Sequence, residues 1–334
     1  MKDRASRDRR RPMRKRSRRA TRKRRPRPTR GGTPNDTRAG AIGKKVLPGS
    51  VMTPYSLYTC SNWRLSSNHS WSDQYDSNFP KQAPPQLMSH KQIQCGDVIY
   101  CESSEVAQLM DLLKVLSVPI ILVTGRRHTP SFVSDPVYIC EHPFVRKWFA
   151  QNPIINSPKV EVIPYGVLPD HLPNLESSYT NLAANSQTRT IPILHVGLAS
   201  NYPLRCKISP KVPSRENLIK TQDQRVSQGE YFELLAKSVC VISPCGDRCD
   251  CYRHVEAILL GCVPITNMPK EYAQLYGDVT INVDTPTLEW IGEKRQLPAG
   301  TVIPQITRDK QEKFYYEYWH KKVQEAQSMV KLGC

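Results

Sequence analysis

Residues 239–266 read VCVISPCGDRCDCYRHVEAILLGCVPIT, and this stretch predicts the fold. Residues 239–243 and 263–266 are rich in β-branched side chains, which is typical of buried strands. Residues 253–260 between them have apolar side chains at the spacing of a helix, and Gly261 ends that helix. A strand, a helix and a second strand in this order predict one unit of a parallel sheet.

Strands and helices alternate on both sides of this stretch. Further strands are predicted at residues 97–101, 118–124, 137–140, 160–164, 191–196 and 279–283. Further helices are predicted at residues 143–151 and 230–237, and from a cap at Ser103 or Ser104 to about residue 116. A polar interruption at residues 174–189 divides the alternation into two units.

The sequence therefore predicts an α/β fold with two Rossmann-like parallel-sheet domains. The predicted organisation is a disordered Arg-rich arm and linker at 1–45, an N-terminal domain at 46–175, a C-terminal domain at 176–305 and a closing helix at 306–334. We expect the aromatic residues of the closing helix to dock on the body of the protein, with stacking on nucleic-acid bases as the alternative: Phe314, Tyr315, Tyr318 and Trp319.

Basic residues are concentrated at the start of the chain. Residues 1–30 hold 17 basic and two acidic side chains, so +15 of the net charge of +18 lies there. Like charges and three prolines predict disorder in isolation. Because arginine binds phosphate through two hydrogen bonds, nucleic acid or another polyanion is the expected partner of this arm. A nuclear import signal and a solubilising tail remain alternatives.

No stretch of the sequence is apolar enough to cross a membrane. The longest uncharged apolar run covers residues 115–123, whereas a spanning helix needs about 20 residues. The start of the chain lacks the apolar stretch of a secretory signal, so we expect a soluble intracellular protein in the cytoplasm or nucleus. An organelle transit peptide and a viral origin remain alternatives. Eleven cysteines are too few for a disulfide scaffold, which favours reduced thiols.

The loop and helix that follow residue 243 hold the candidate functional residues. Loops at the carboxyl ends of parallel strands, where helix N-termini present free N–H groups, are natural phosphate sites. Arg253 and Glu256 are three residues apart and share a helix face. Arg253 can neutralise a phosphate and Glu256 can accept hydrogen bonds from ribose hydroxyls. Alternatively, the two form a surface ion pair.

The same stretch resembles the signature of exostosin-like glycosyltransferases. The matching positions occur in the family's order and without gaps: Ser243-Pro244, Gly246, Asp250, Arg253, Glu256-Ala257 and Gly261-Cys262-Val263-Pro264-Ile265. A second, weaker resemblance covers residues 119–125, 148–152 and 158–166. Together the two regions span roughly residues 97–285.

The resemblance implies a GT-B fold that transfers a sugar with inversion and without a metal ion or other cofactor. Its C-terminal domain would hold a nucleotide-sugar donor, expected to be a UDP-sugar, and its N-terminal domain would contact a glycan or another hydroxyl acceptor. Arg253 would compensate the charge of the leaving diphosphate, and Glu256 would orient the donor ribose. The other residues assigned to donor binding are Ser243, Gly246, Asp247, Asp250 and Gly125.

The sequence departs from the family pattern at several positions. Asp247 and Arg248 stand where the donor loop usually has Asn-Gly. Upstream, where the family carries acidic residues, this chain has Arg126, Arg127 and His128. His128 is therefore the candidate base that deprotonates the acceptor, with a solvent-facing loop histidine as the alternative. The alternative function is a catalytically inactive transferase fold that binds a polyanion through the arm.

Cysteines around the donor loop suggest a competing hypothesis, a zinc site. Six soft ligands lie close together in the sequence: Cys240, Cys245, Cys249, Cys251, His254 and Cys262. The loop cysteines lack the paired spacing of a zinc knuckle. Cys240 and Cys262 fall on predicted strands, where small buried thiols are ordinary core residues.

Overall fold

The computed structural model describes residues 47, 49–65, 84–102, 105–125, 136–153, 155–185, 188–196, 226–246 and 248–334. The chain divides into two compact units, Met1–Gly43 and Lys44–Cys334, and the described residues belong to the second. The predicted arm at residues 1–30, His128 and Asp247 lie outside the described residues. The predicted domain boundaries at 45, 175 and 305 remain predictions.

The first sheet has five parallel strands, which are ordered in the sheet as they are in the chain. They are β1 (Trp63–Arg64), β2 (Asp97–Glu102), β3 (Ile120–Gly125), β4 (Val145–Gln151) and β5 (Val160–Ile163). Helices α1 (Val106–Val115) and α2 (Pro136–Glu141) pack their apolar residues on one face. The inner strand β3 is buried along its whole length, as expected for a parallel sheet covered on both faces.

The second sheet has four parallel strands, again in chain order. They are β6 (Ile191–Leu194), β7 (Ser238–Ile242), β8 (Val263–Thr266) and β9 (Ile281–Asn282). Helix α3 (Leu172–Asn185) lies between the two sheets in sequence, and four helices follow: α4 (Gln228–Ala236), α5 (Tyr252–Leu259), α6 (Ala273–Tyr276) and α7 (Thr285–Lys294). The predicted fold class, α/β with two parallel sheets, is confirmed.

The end of the chain joins the cores of the two sheets. It forms α8 (Arg308–Gln311), a 3-10 turn (Glu312–Phe314) and α9 (Tyr316–Leu332). The Phe314 ring lies 5.5 Å from that of Tyr276, and the Trp319 ring lies 6.5 Å from that of Phe149 in β4. The predicted docking of Phe314, Tyr315 and Trp319 is confirmed by their burial, whereas the single closing helix is broken by the 3-10 turn.

Two predicted elements have the opposite secondary structure. Residues 137–140, predicted as a strand, belong to α2, which begins at Pro136 because the fixed φ of proline suits the first helical position. Residues 143–151, predicted as a helix, contain strand β4. Val145, Trp148 and Phe149 have helical spacing, and the last four residues of this inner strand, 148–151, are all buried and so show no alternation that would reveal it.

The predicted polar interruption at residues 174–189 separates the two sheets as expected, but most of it belongs to helix α3. This helix looks like a loop in the sequence since its interior is rich in Asn, Ser and Thr. Only a narrow face of the helix is buried against the rest of the protein, at Leu175 and Ser178. The predicted strand at residues 279–283 shortens to β9.

A disulfide joins Cys95, just before β2, to Cys334 after α9. The two residues are 239 positions apart, with a Cα–Cα distance of 6.6 Å. This pair departs from the expectation of reduced thiols. Every other cysteine in the described part of the chain is free.

Candidate functional site

The N-terminus of α5 faces the carboxyl edge of the second sheet. The donor loop, residues 243–251, leads from β7 into this helix. The backbone N–H of Cys245 donates to Asn267 Oδ1 (2.9 Å), and that of Gly246 donates to the Arg248 carbonyl (2.9 Å). Ser243 is buried, and its carbonyl lies 2.9 Å from His254 Nε2. The loop is therefore held by its own backbone and by the first turn of α5.

Glu256 is fully buried in α5, so the alternative of a surface ion pair is wrong. His171 Nδ1 lies 2.6 Å from Glu256 Oε1, and the Tyr231 hydroxyl donates to Oε2 (2.9 Å). Burial lowers the pKa of His171, but the hydrogen bond and the charge of Glu256 outweigh it and raise the pKa overall. The carboxylate is therefore held in one orientation by residues from two other segments.

Arg253 lies on the first turn of α5 and is partly exposed. Its guanidinium hydrogen-bonds the Tyr231 side chain and lies close enough to Glu256 to feel its charge. Arg253, Tyr231 and Glu256 thus form one connected group at the helix start. A cation lies there at the positive end of the helix dipole, which suits an anionic ligand.

Asp250 ties the donor loop to the first sheet. It is fully buried, and its Oδ2 accepts the Tyr165 backbone N–H (2.5 Å). Its own N–H donates to Asn152 Oδ1 (2.8 Å), and its Oδ1 lies 3.6 Å from His254 Nδ1. The Arg248 guanidinium stacks 4.2 Å from the centre of the Tyr165 ring. These contacts give Asp250 a buried position between the loop and the first sheet.

The predicted donor-binding residues are only partly brought together. Ser243, Gly246, Asp250, Arg253 and Glu256 lie in the donor loop and α5, at one edge of the second sheet. Gly125 ends β3 in the first sheet, where the atoms nearest to an added Cβ belong to Tyr100 and Gln151. Asp247 and His128 lie outside the described residues, so their assignments remain predictions.

Sequence reasoning missed two basic residues near this site, His195 and Arg295. His195 follows β6 and is buried, and Arg295 follows α7. Burial, together with the charges of Arg295 and Arg253, lowers the pKa of His195 to about 3. The predicted strand at residues 191–196 includes His195, whereas β6 ends at Leu194. Helix α7, which Arg295 follows, is not predicted by the sequence pattern. The signal for His195 is its place directly after a parallel strand, where ligand-binding residues of α/β sheets lie.

The described residues contain no group of three or more His, Cys, Asp and Glu side chains arranged to hold a metal ion. The loop thiols have other contacts: Cys245 Sγ donates to the Cys249 carbonyl (3.2 Å), and Cys251 Sγ lies 3.4 Å from His254 Nδ1. The geometry therefore gives the zinc hypothesis no support. Within the described ranges, no helix combines the length and apolar character needed to cross a membrane.

No model of a known protein family matches the chain, and no curated protein matches it. Solved structures that are distantly similar include the following three. OtsA in its apo form is 9% identical with a TM-score of 0.39, covering 71% of this chain and 74% of its own. AviGT4, a glycosyltransferase involved in avilamycin A biosynthesis, is 10% identical with a TM-score of 0.32, covering 70% and 85%.

The third is trehalose-6-phosphate from E. coli bound with UDP-2-fluoro glucose, 10% identical with a TM-score of 0.34, covering 72% of this chain and 73% of its own. At these scores the likeness assigns neither a family nor an activity to this chain. The exostosin-like family remains a resemblance of sequence motifs.

Proposed function

We propose that the protein is a glycosyltransferase that takes a nucleoside-diphosphate sugar as donor and transfers the sugar to an acceptor hydroxyl. The observation that carries this proposal is the start of α5. There Arg253 stands on the first turn and the buried, oriented carboxylate of Glu256 lies one turn further along, at the carboxyl edge of a parallel sheet. A phosphate ligand and a ribose are the two chemical groups that such a pair recognises.

The leaving group of the proposed reaction is a nucleoside diphosphate, which gains negative charge as the bond to the sugar breaks. Arg253 supplies a fixed positive charge where this charge develops, and the helix N-terminus adds its partial charge. Because the guanidinium is already held by Tyr231, it needs little rearrangement during the reaction. The charge compensation is therefore in place before the donor arrives.

Glu256 is assigned to the donor ribose. Each of its oxygens already has one partner, His171 on Oε1 and Tyr231 on Oε2. Because a carboxylate oxygen can accept two hydrogen bonds, Oε2 can take a ribose hydroxyl while it keeps the Tyr231 hydroxyl. The acceptor base in this proposal is His128, as predicted from the sequence, and transfer is inverting and independent of a metal ion, as the exostosin-like resemblance implies.

The proposal is tested by the release of nucleoside diphosphate from a panel of nucleotide sugars, UDP-sugars first, with sugar acceptors present. We expect turnover with one nucleotide family, a loss of at least about a hundredfold in Arg253→Ala and Glu256→Gln, and little change in Arg146→Ala. Arg146 is an exposed arginine of β4 in the first sheet and serves as the matched control. Anomer analysis of the product tests inversion, EDTA tests metal independence, and His128→Ala tests the base.

This proposal would be contradicted if the folded protein neither turned over nor bound any nucleotide sugar of the panel. The remaining proposal would then be an inactive transferase fold that binds a polyanion through residues 1–30, where +15 of the charge lies. That function predicts nucleic-acid binding that weakens steeply with salt and disappears when residues 1–30 are deleted.

A further inference from the structure

His195 has an unsatisfied polar atom inside the protein. The residue directly follows β6, the first strand of the second sheet, and it is 7% exposed. Its Nε2 atom is buried and has no hydrogen-bond partner among the described residues. Buried polar atoms in folded proteins are nearly always paired, so an atom of this kind indicates a missing partner.

Arg295 shows the same feature together with backbone strain. It follows α7 in the left-handed conformation, with φ 60° and ψ 34°, where helices usually place glycine. Within the described part of the chain its Nε and Nη1 atoms are buried without a hydrogen-bond partner, so the side chain does not cap the helix carbonyls through them. Strained backbone positions that hold a large side chain cluster at functional sites.

The two residues belong to one cluster with Arg253. His195 follows β6, and Arg253 opens the helix that follows the neighbouring strand β7, so both belong to the carboxyl edge of the second sheet. The charges of Arg295 and Arg253 both lower the pKa of His195. Burial lowers the pKa of Arg295 to about 10, and no acidic side chain of the described residues offsets this shift. Two arginines and a buried histidine therefore share one region. Among the described residues, Nε and Nη1 of Arg295 and Nε2 of His195 have no hydrogen-bond partner and are available to a ligand.

We propose that His195 and Arg295 bind a second oxyanion of the donor, next to the phosphate assigned to Arg253. This inference rests on the proposed function and assigns two further residues of this chain to a second anionic group of the donor. The second oxyanion is either the distal phosphate of the diphosphate or the carboxylate of a uronic-acid sugar. Both present oxygens that accept hydrogen bonds from a guanidinium and from a neutral imidazole N–H.

The test is calorimetry of the full-length chain with UMP, UDP, UDP-glucose and UDP-glucuronic acid, using wild type, Arg295→Gly and His195→Leu. Glycine keeps the left-handed backbone, so Arg295→Gly removes the guanidinium and relieves the strain. We expect its melting temperature to equal or exceed that of the wild type. We expect both variants to bind the doubly anionic ligand about tenfold to a hundredfold more weakly and to keep the wild-type affinity for UMP.

The ligand panel separates the two sources of the second oxyanion. If the variants bind UDP more weakly than the wild type does, the second oxyanion is the distal phosphate. If only their affinity for UDP-glucuronic acid falls, the second oxyanion is the sugar carboxylate. Unchanged affinity for every ligand in both variants, while Arg253→Ala weakens UDP, overturns this inference and leaves the proposed function standing. A wild type that binds none of the four ligands overturns the proposed function itself. A lower melting temperature of Arg295→Gly contradicts the claim that Arg295 is unsatisfied.

Discussion

At the residue scale, the orientation of the Glu256 side chain depends on the groups that touch it. A buried carboxylate is costly unless it is paired and hydrogen-bonded. His171 comes from the 3-10 turn before α3, and Tyr231 comes from α4. Asp170 also acts on His171, and the rings of Phe232 and Tyr252 pack against its imidazole. His171 is therefore a positioning residue for Glu256.

We predict that His171→Gln makes the stability of the protein less dependent on pH. The pKa of His171 is raised in the folded state, so its ion pair contributes fully below the ordinary value of about 6.5 and is lost as pH rises through the raised value. The variant should lose about 1 to 3 kcal/mol at pH 6 and less at pH 9. Urea unfolding across this range measures the difference.

The matched control for this prediction is His90→Gln, on an exposed 3-10 turn, which should follow the wild type at every pH. A difference between wild type and His171→Gln that is the same at pH 6 and pH 9 would show that the ion pair is not what His171 contributes.

At the scale of elements, one arginine closes the ends of two helices. Arg189 Nη1 donates to the Ala236 carbonyl (3.3 Å) at the end of α4 and to the Ser238 carbonyl (2.5 Å) at the start of β7. Its Nη2 donates to the Leu260 carbonyl (2.6 Å) at the end of α5. The last carbonyls of a helix lack partners within the helix, and a cation there also opposes the helix dipole. Arg189 thus fixes the two helices that carry Tyr231 and Arg253.

We predict that Arg189→Ala destabilises the protein by about 2 to 4 kcal/mol, because it leaves half-buried carbonyls unpaired at two helix ends. Urea unfolding measures the loss. Lys237→Ala, which removes an exposed 3.8 Å contact with Glu233, should cost no more than about 0.5 kcal/mol. Equal effects of the two substitutions would contradict the capping role of Arg189.

The sequence-based prediction succeeds where local pattern and burial agree. Strands β6, β7 and β8 and helix α5 are bounded by polar residues, Gly or Pro in the sequence. The position of Arg253 and Glu256 on a helix that follows a strand was therefore predictable. Strand β4 was not, because its last four residues, 148–151, are all buried and show no alternation. His171 and Tyr231 approach Glu256 from distant segments, and the left-handed Arg295 ends a helix that the pattern missed. Such contacts depend on tertiary packing, which local periodicity does not encode.

At the scale of the whole molecule, α9 and the turn before it connect the two sheets. Trp319 is 3% exposed and contacts Phe149, and its indole N–H donates to the Lys313 carbonyl (2.6 Å). Phe314 packs on Tyr276 near α5. The donor loop adds a second connection through Asp250 and Tyr165. The site therefore depends on contacts between the sheets as well as within them.

We predict that Trp319→Ala destabilises the protein by about 3 to 5 kcal/mol, since it removes a buried indole from the core that both sheets share. Met329→Ala is the control on the same helix; its side chain is 68% exposed, and the change should stay within about 0.5 kcal/mol. Thermal or urea unfolding measures both. A loss below 1 kcal/mol in Trp319→Ala would mean that α9 is not part of the shared core.

The central claim is that a nucleoside diphosphate binds at the start of α5, and its most direct test is calorimetric titration of the full-length protein with UDP. We compare the wild type, Arg253→Ala and the control Arg146→Ala at equal ionic strength. The account predicts saturable one-site binding by the wild type and the control, and an affinity at least about tenfold to a hundredfold weaker in Arg253→Ala. Equal UDP affinity in all three proteins would contradict it.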